Sequence, residues 1–235
     1  MHALAFSYRE HHPEEFNNLL IELKSKFNMT EGQFRYCESV IKKALQAVEE
    51  QNKERFQRFC DRNYAGIPEY YSNWGLHPVL GHGDYRVSNL LHRIRDDGTI
   101  DIKILDLQTI QGSSPVVDLL YFIFTGSDEE FRAQYYDKLI DHYYTELAAA
   151  MKRLHLDPEK VYSREDFDFE LKEKLPFGLT IALFTLPIIT VDAKDAPEVN
   201  EDMDLSNFSV LKTNDLYTQR LNGVVNDYVK WGILK

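Results

Sequence analysis

The sequence predicts a mainly α-helical fold with one short β-hairpin, and three observations predict it. Apolar residues recur at helical spacing over most of the chain. One stretch, residues 79–106, alternates and turns as strands do. Hydrophobic residues make up 43% of 235, with 14 Tyr, 14 Phe and 2 Trp, enough to build the core of a single domain spanning 1–235. The net charge of −11 excludes a surface built to track nucleic acid or anionic lipid, both of which call for clustered Lys and Arg.

The elements follow in order. Residues 13–27 place Phe16, Leu19, Leu20, Leu23 and Phe27 on one face, and Pro13 with Glu14 marks the start. Thr30-Glu31-Gly32-Gln33 has capping-box spacing and opens a helical stretch running to residue 59. Residues 61–78 hold Gly66, Pro68, Asn73 and Gly75 and read as loop. After the β-region, residues 116–125, 128–154, 164–191 and 215–231 read as helices, with an acidic surface loop over 192–207. Residues 175–191 are free of charge, but Pro176, Gly178 and Pro187 interrupt them. They fall short of a bilayer span, so a buried helix is expected and no membrane contact. Met1-His2-Ala3-Leu4-Ala5-Phe6 is too short for a signal sequence, and Cys37 and Cys60 lack metal-ligand spacing. Reduced thiols in a cytoplasmic protein are the expectation.

The hairpin links sequence to chemistry. A three-residue turn at Asp96-Asp97-Gly98 sets Leu90 opposite Ile104 and Ile94 opposite Ile100, whereas a two-residue Asp97-Gly98 turn sets Asn89 opposite Asp106. Either register brings Asn89 and Asp106 to the open end of the hairpin, where Asp84 enters on a loop. An Asp, an Asn five residues later and a second Asp after an apolar strand form the set that phosphoryl transfer from a metal–nucleotide needs. Asp84 would orient the attacking hydroxyl, while Asn89 and Asp106 would ligate Mg²⁺ on the ATP phosphates. His82 is expected to pack and hydrogen-bond within the loop, and Asp118 to support the loop's backbone amides.

Other constellations are weaker. His11, His12 and His77 lack a carboxylate at ligand spacing, and Ser113 and Ser114 lack a nucleophile elbow. Tyr135, Tyr136, Tyr143 and Tyr144 have helical spacing that core packing explains.

His82-Gly83-Asp84-x-x-x-x-Asn89 resembles the catalytic loop of the aminoglycoside-phosphotransferase and choline-kinase group of the protein-kinase-like superfamily. Leu105-Asp106-Leu107-Gln108, followed by Ser114-Pro115-x-x-Asp118-Leu119-Leu120-Tyr121-Phe122, is more discriminating and resembles the ecdysteroid-kinase-like (CHK kinase-like) family. The likeness runs through essentially the whole chain, with a catalytic loop at 82–89 and a metal-binding Asp-Leu-Gln at 106–108. It implies an ATP- and Mg²⁺-dependent phosphotransferase acting on a hydroxyl of a small lipophilic molecule such as an ecdysteroid. No nucleotide-contacting residue is assigned.

Leu107 stands where the family usually has Phe, and Arg86 and Ser88 where Trp and Asn are frequent. None of these departures removes the base or a metal ligand. Residues 1–6 resemble the first helix of the family's C-terminal lobe. The resemblance therefore implies a C-terminal lobe with the β-rich N-lobe absent, truncated and weak or inactive alone, with an apolar docking surface exposed. The rival expectation is a non-catalytic module that binds the same class of small molecule.

Overall fold

Capping residues and apolar spacing set most of the element boundaries. The structure, a computed structural model, describes residues 1–23, 31–63, 73–196 and 212–235. Helix α1 (His2–His11) is followed at once by α2 (Pro13–Glu22), where proline occupies the first turn and Phe16 and Leu20 face inward. Proline fits there because its missing N–H would have no helical partner. Phe27 and the capping-box Thr30 lie outside the described residues.

The stretch expected as one helix forms two, α3 (Glu31–Ala47) and α4 (Glu50–Asn63). The break is stabilised from far along the chain. Asn222 Oδ1 accepts the Glu49 amide at 2.9 Å, and its Nδ2 donates to the Ala47 carbonyl at 2.9 Å. Both backbone groups beside the interruption are thereby satisfied.

The β-structure is larger than one hairpin. β1 (Val79–Gly81) pairs antiparallel with β4 (Gln111–Ser113), and β2 (Leu90–Ile94) pairs with β3 (Ile100–Ile104), giving two separate two-stranded sheets. Three residues show no alternation to read, which is why β4 has no signature in the sequence. The β2–β3 hairpin takes the three-residue turn, with Leu90 opposite Ile104, Ile94 opposite Ile100 and Gly98 at φ 81°. That register gathers Ile94, Ile100, Ile102 and Ile104 on one face. The face is not buried, for Ile94 is 68% and Ile102 60% exposed.

The remaining helices are α5 (Pro115–Gly126), α6 (Glu129–Arg153), the short α7 (Pro158–Val161), α8 (Arg164–Ile189) and α9 (Asp215–Lys230). Asp128 and Asn214 cap α6 and α9 through their side chains, and Ser163 with Asp166 forms a full capping box on α8. α5 packs along α8, and residues 177–183 of α8 are buried on every side. A helix apolar all round is what such enclosure requires. None of the described helices is long and apolar enough to cross a membrane.

Phe124 meets Tyr228 at 5.3 Å and Trp231 at 6.0 Å between ring centres. The buried Arg132 Nε donates to Asp227 at 2.5 Å, tying α6 to α9. Tyr144 is buried, and Tyr136 and Tyr143 pack against the same core. Cys37 and Cys60 are free and buried; burial first, and a neighbouring acid second, pushes their thiols up to about 11 and about 12. Both remain protonated and unreactive at neutral pH.

Candidate active site

The loop between β1 and β2 is fastened to α5 by its backbone. Asp118, in the first turn of α5, accepts the His82 amide at 2.6 Å and the Gly83 amide at 3.1 Å, one on each carboxylate oxygen. His2 Nε2 reaches the same carboxylate at 3.1 Å, and its Nδ1 meets the Tyr143 hydroxyl at 2.6 Å. Burial pushes the Asp118 carboxyl up, but His2 and the two loop amides together outweigh it and hold the group below the usual range. Gly83 has φ +82°, and a Cβ there would stand 2.4 Å from the Thr109 carbonyl oxygen, so only glycine fits.

His82 is fully buried, and its two ring nitrogens have separate partners. Nε2 lies 2.7 Å from the Leu105 carbonyl, which can only accept, so Nε2 carries the proton. Nδ1 then accepts the Asp84 amide at 3.3 Å. The imidazole crosslinks the loop to the end of β3, and both nitrogens are spent.

Asp84 is gripped at both carboxylate oxygens. The Tyr121 hydroxyl donates to Oδ1 at 2.7 Å, and Asn89 Nδ2 donates to Oδ2 at 3.0 Å and to the Asp84 carbonyl at 2.9 Å. Arg86 Nε lies 3.2 Å from Oδ2. Its N–H is not aimed at an acceptor, so the contact is ionic rather than a hydrogen bond. Because the amide nitrogen of Asn89 is committed to Asp84, its Oδ1 is the atom left to face a cation. No hydrogen bond is donated to that oxygen among the described residues.

Asp106 is built differently. Leu105 donates its amide to the Asn89 carbonyl at 2.8 Å, so Asp106 follows directly on the residue paired with Asn89. Its backbone is left-handed, φ 61° and ψ 55°, and its side chain is exposed. Its side chain makes no hydrogen bond or ion pair among the described residues. The structure therefore brings Asp84 and Asn89 into direct contact and leaves Asp106 at the same end of the hairpin, hydrogen-bonded to neither through its side chain. Oxygen donors of this kind, one amide and one carboxylate, suit a hard divalent cation that takes its remaining ligands from phosphates and water. No group of three or more His, Cys, Asp or Glu side chains able to hold a metal occurs among the described residues.

Ser114, one of the two serines weighed for hydrolysis, donates its hydroxyl to the buried Glu170 at 2.6 Å, and Ser113 donates to the Ser114 carbonyl at 3.2 Å. Neither has a histidine partner among the described residues. Glu170 also takes the Tyr162 hydroxyl at 2.9 Å and the Leu76 amide at 2.9 Å, which makes it a clasp for the chain entering β1.

Three side chains at the site escape the sequence reading: His2, Arg86 and Tyr121. Tyr121 had a signal, because it lies three residues beyond Asp118 and so shares its helix face. His2 had none, since it comes from an element 116 residues away.

No curated protein and no solved structure matches this chain. The ecdysteroid kinase-like family matches it over residues 1–156 of 235. That match covers α1, the loop, the hairpin, Asp118 and Tyr121, and the chain belongs to the ecdysteroid kinase-like family.

Proposed function

We propose that this chain transfers a phosphoryl group from ATP to a hydroxyl of a small molecule, with a lipophilic alcohol of the ecdysteroid type as acceptor. The observation that carries the reading is the carboxylate of Asp84. It is fixed by donors on both oxygens and sits beside an asparagine whose own oxygen is left over.

In this reading the acceptor hydroxyl approaches Asp84 Oδ1. Tyr121 uses one lone pair there, and the other is left to take the proton as the bond from the acceptor oxygen to the γ-phosphorus forms and the bond from that phosphorus to the bridging oxygen breaks, releasing ADP. Asn89 Oδ1 and the Asp106 carboxylate would hold the divalent cation. Magnesium, when bound, offsets negative charge on the phosphate oxygens. His82 and Asp118 act through the backbone and keep the loop in register with α5. The isoleucine face of the β2–β3 hairpin is the surface this reading assigns to a phosphate-covering lobe.

A second reading, a non-catalytic small-molecule binder, draws on the ionic contact between Arg86 and Asp84, which partly neutralises the base. Mg²⁺-dependent ATP turnover, measured beside Asp84→Asn, separates the two. The phosphotransferase reading expects the wild-type chain to exceed the variant by at least about a hundredfold. Equal rates from both would leave the binder.

A further inference from the structure

Tyr121 is held where it can act on Asp84. Its ring is buried in α5 at 7% exposure, and its hydroxyl lies 2.7 Å from Asp84 Oδ1 and 3.4 Å from Thr185 Oγ1 of α8. The donor's position is therefore set by two long packed helices rather than by the loop. One helix face bears both Asp118, which fixes the loop backbone, and Tyr121, which reaches the loop's carboxylate. A carboxylate held at one oxygen can still turn about its Cβ–Cγ bond. Held at Oδ2 by Asn89 and at Oδ1 by Tyr121, it has one orientation.

We propose that Tyr121 is a positioning residue for the reaction: it fixes the plane of the Asp84 carboxylate so that the open lone pair of Oδ1 faces the incoming hydroxyl. The proposal rests on the phosphotransferase reading and deepens it. The phenol donates its one proton to Asp84, accepts from the Thr185 hydroxyl, and is not itself the base. Thr185 marks where α8 steadies that phenol, so an acceptor seated against α8 would sense the same contact.

The test uses the 235-residue chain with Mg²⁺–ATP turnover as the probe, comparing wild type, Asp84→Asn, Tyr121→Phe and Tyr144→Phe. Tyr121→Phe keeps the ring and removes only the hydroxyl. It should lower kcat by about 10- to 100-fold, the value of a hydrogen bond to a charged group, with KM for ATP within about twofold. Tyr144 also loses a hydroxyl, one that donates to the Tyr162 carbonyl at 3.1 Å away from Asp84, and Tyr144→Phe should match wild type.

A Tyr121→Phe protein as fast as wild type, or one altered only in KM, overturns the proposal while leaving the phosphotransferase reading in place. Equal slowing in Tyr144→Phe overturns it too, because any buried hydroxyl would then serve. Wild type no faster than Asp84→Asn removes the phosphotransferase reading and this proposal with it. Should Tyr121→Phe fail to fold, Thr185→Val decides: a fall in kcat of a few fold supports the proposal, and an unchanged kcat overturns it.

Discussion

The loop at residues 82–89 and the segment at residues 104–109 meet at one end of the same hairpin, yet they are built in opposite ways. In the loop, His82, Gly83, Asp84 and Asn89 all have side-chain or backbone partners supplied by α5, by the Leu105 carbonyl or by each other. In the segment, every residue from 104 to 109 is exposed, and Asp106 has a left-handed backbone and a side chain with no described partner. The difference matters for chemistry. Groups that meet the acceptor gain most from being fixed in advance, because reorganisation then adds nothing to the barrier. Groups that meet a hydrated cation and its nucleotide must stay open until the ligand arrives.

Breaking the fixed side should cost most. Asp118→Ala strands the buried His82 amide and the part-buried Gly83 amide and removes one partner of His2, and should lower unfolding free energy by about 3–5 kcal/mol in urea denaturation. The same carboxylate sets a pH dependence. Its folded value lies below the unfolded one, so its contribution is fully present above about pH 4 and is lost as pH falls further through the folded value. Asp118→Asn should accordingly flatten the acid limb of the stability curve, and an unchanged limb would show that Asp118 does not supply it.

Two glycines sharpen the comparison because their backbones are alike. Gly83 and Gly98 have φ of +82° and +81°, but a Cβ on Gly83 would strike the Thr109 carbonyl at 2.4 Å, whereas nothing lies within 4 Å of one on Gly98. Gly83→Ala should cost about 2–4 kcal/mol, backbone strain plus overpacking, and Gly98→Ala about 1–2 kcal/mol, strain alone. Equal losses in denaturant titrations would mean that the loop is no more tightly enclosed than the hairpin tip. The smallest effect belongs to the exposed face, where Ile102→Lys should change stability by no more than about 0.5 kcal/mol.

The same contrast explains what could be read in the chain. Local signals were legible: the helix from residue 164, the turn at Asp96-Asp97-Gly98, whose three-residue register was one of two open alternatives, and the charge-free core of α8. The spacing of Asp84, Asn89 and Asp106 also implied one end of a hairpin, because strand geometry is local. Contacts between distant elements were not legible. Asn222 splits α3 from α4 across 173 residues, and His2 reaches Asp118 across 116. The isoleucine face follows the expected register but is exposed, since alternation reports which residues share a face and not what covers it.

The open side is tested most directly by a cation. Mn²⁺, which favours the same oxygen ligands as Mg²⁺, can be titrated by electron paramagnetic resonance with a non-hydrolysable ATP analogue present. Wild type is compared with Asp106→Asn, a substitution that tolerates the left-handed backbone. The account predicts nucleotide-dependent Mn²⁺ binding to wild type and a loss of at least about tenfold in the variant, with unfolding midpoints unchanged. Equal Mn²⁺ affinity in the two proteins, or no nucleotide-dependent binding to wild type, would contradict a metal site shared by Asn89 and Asp106.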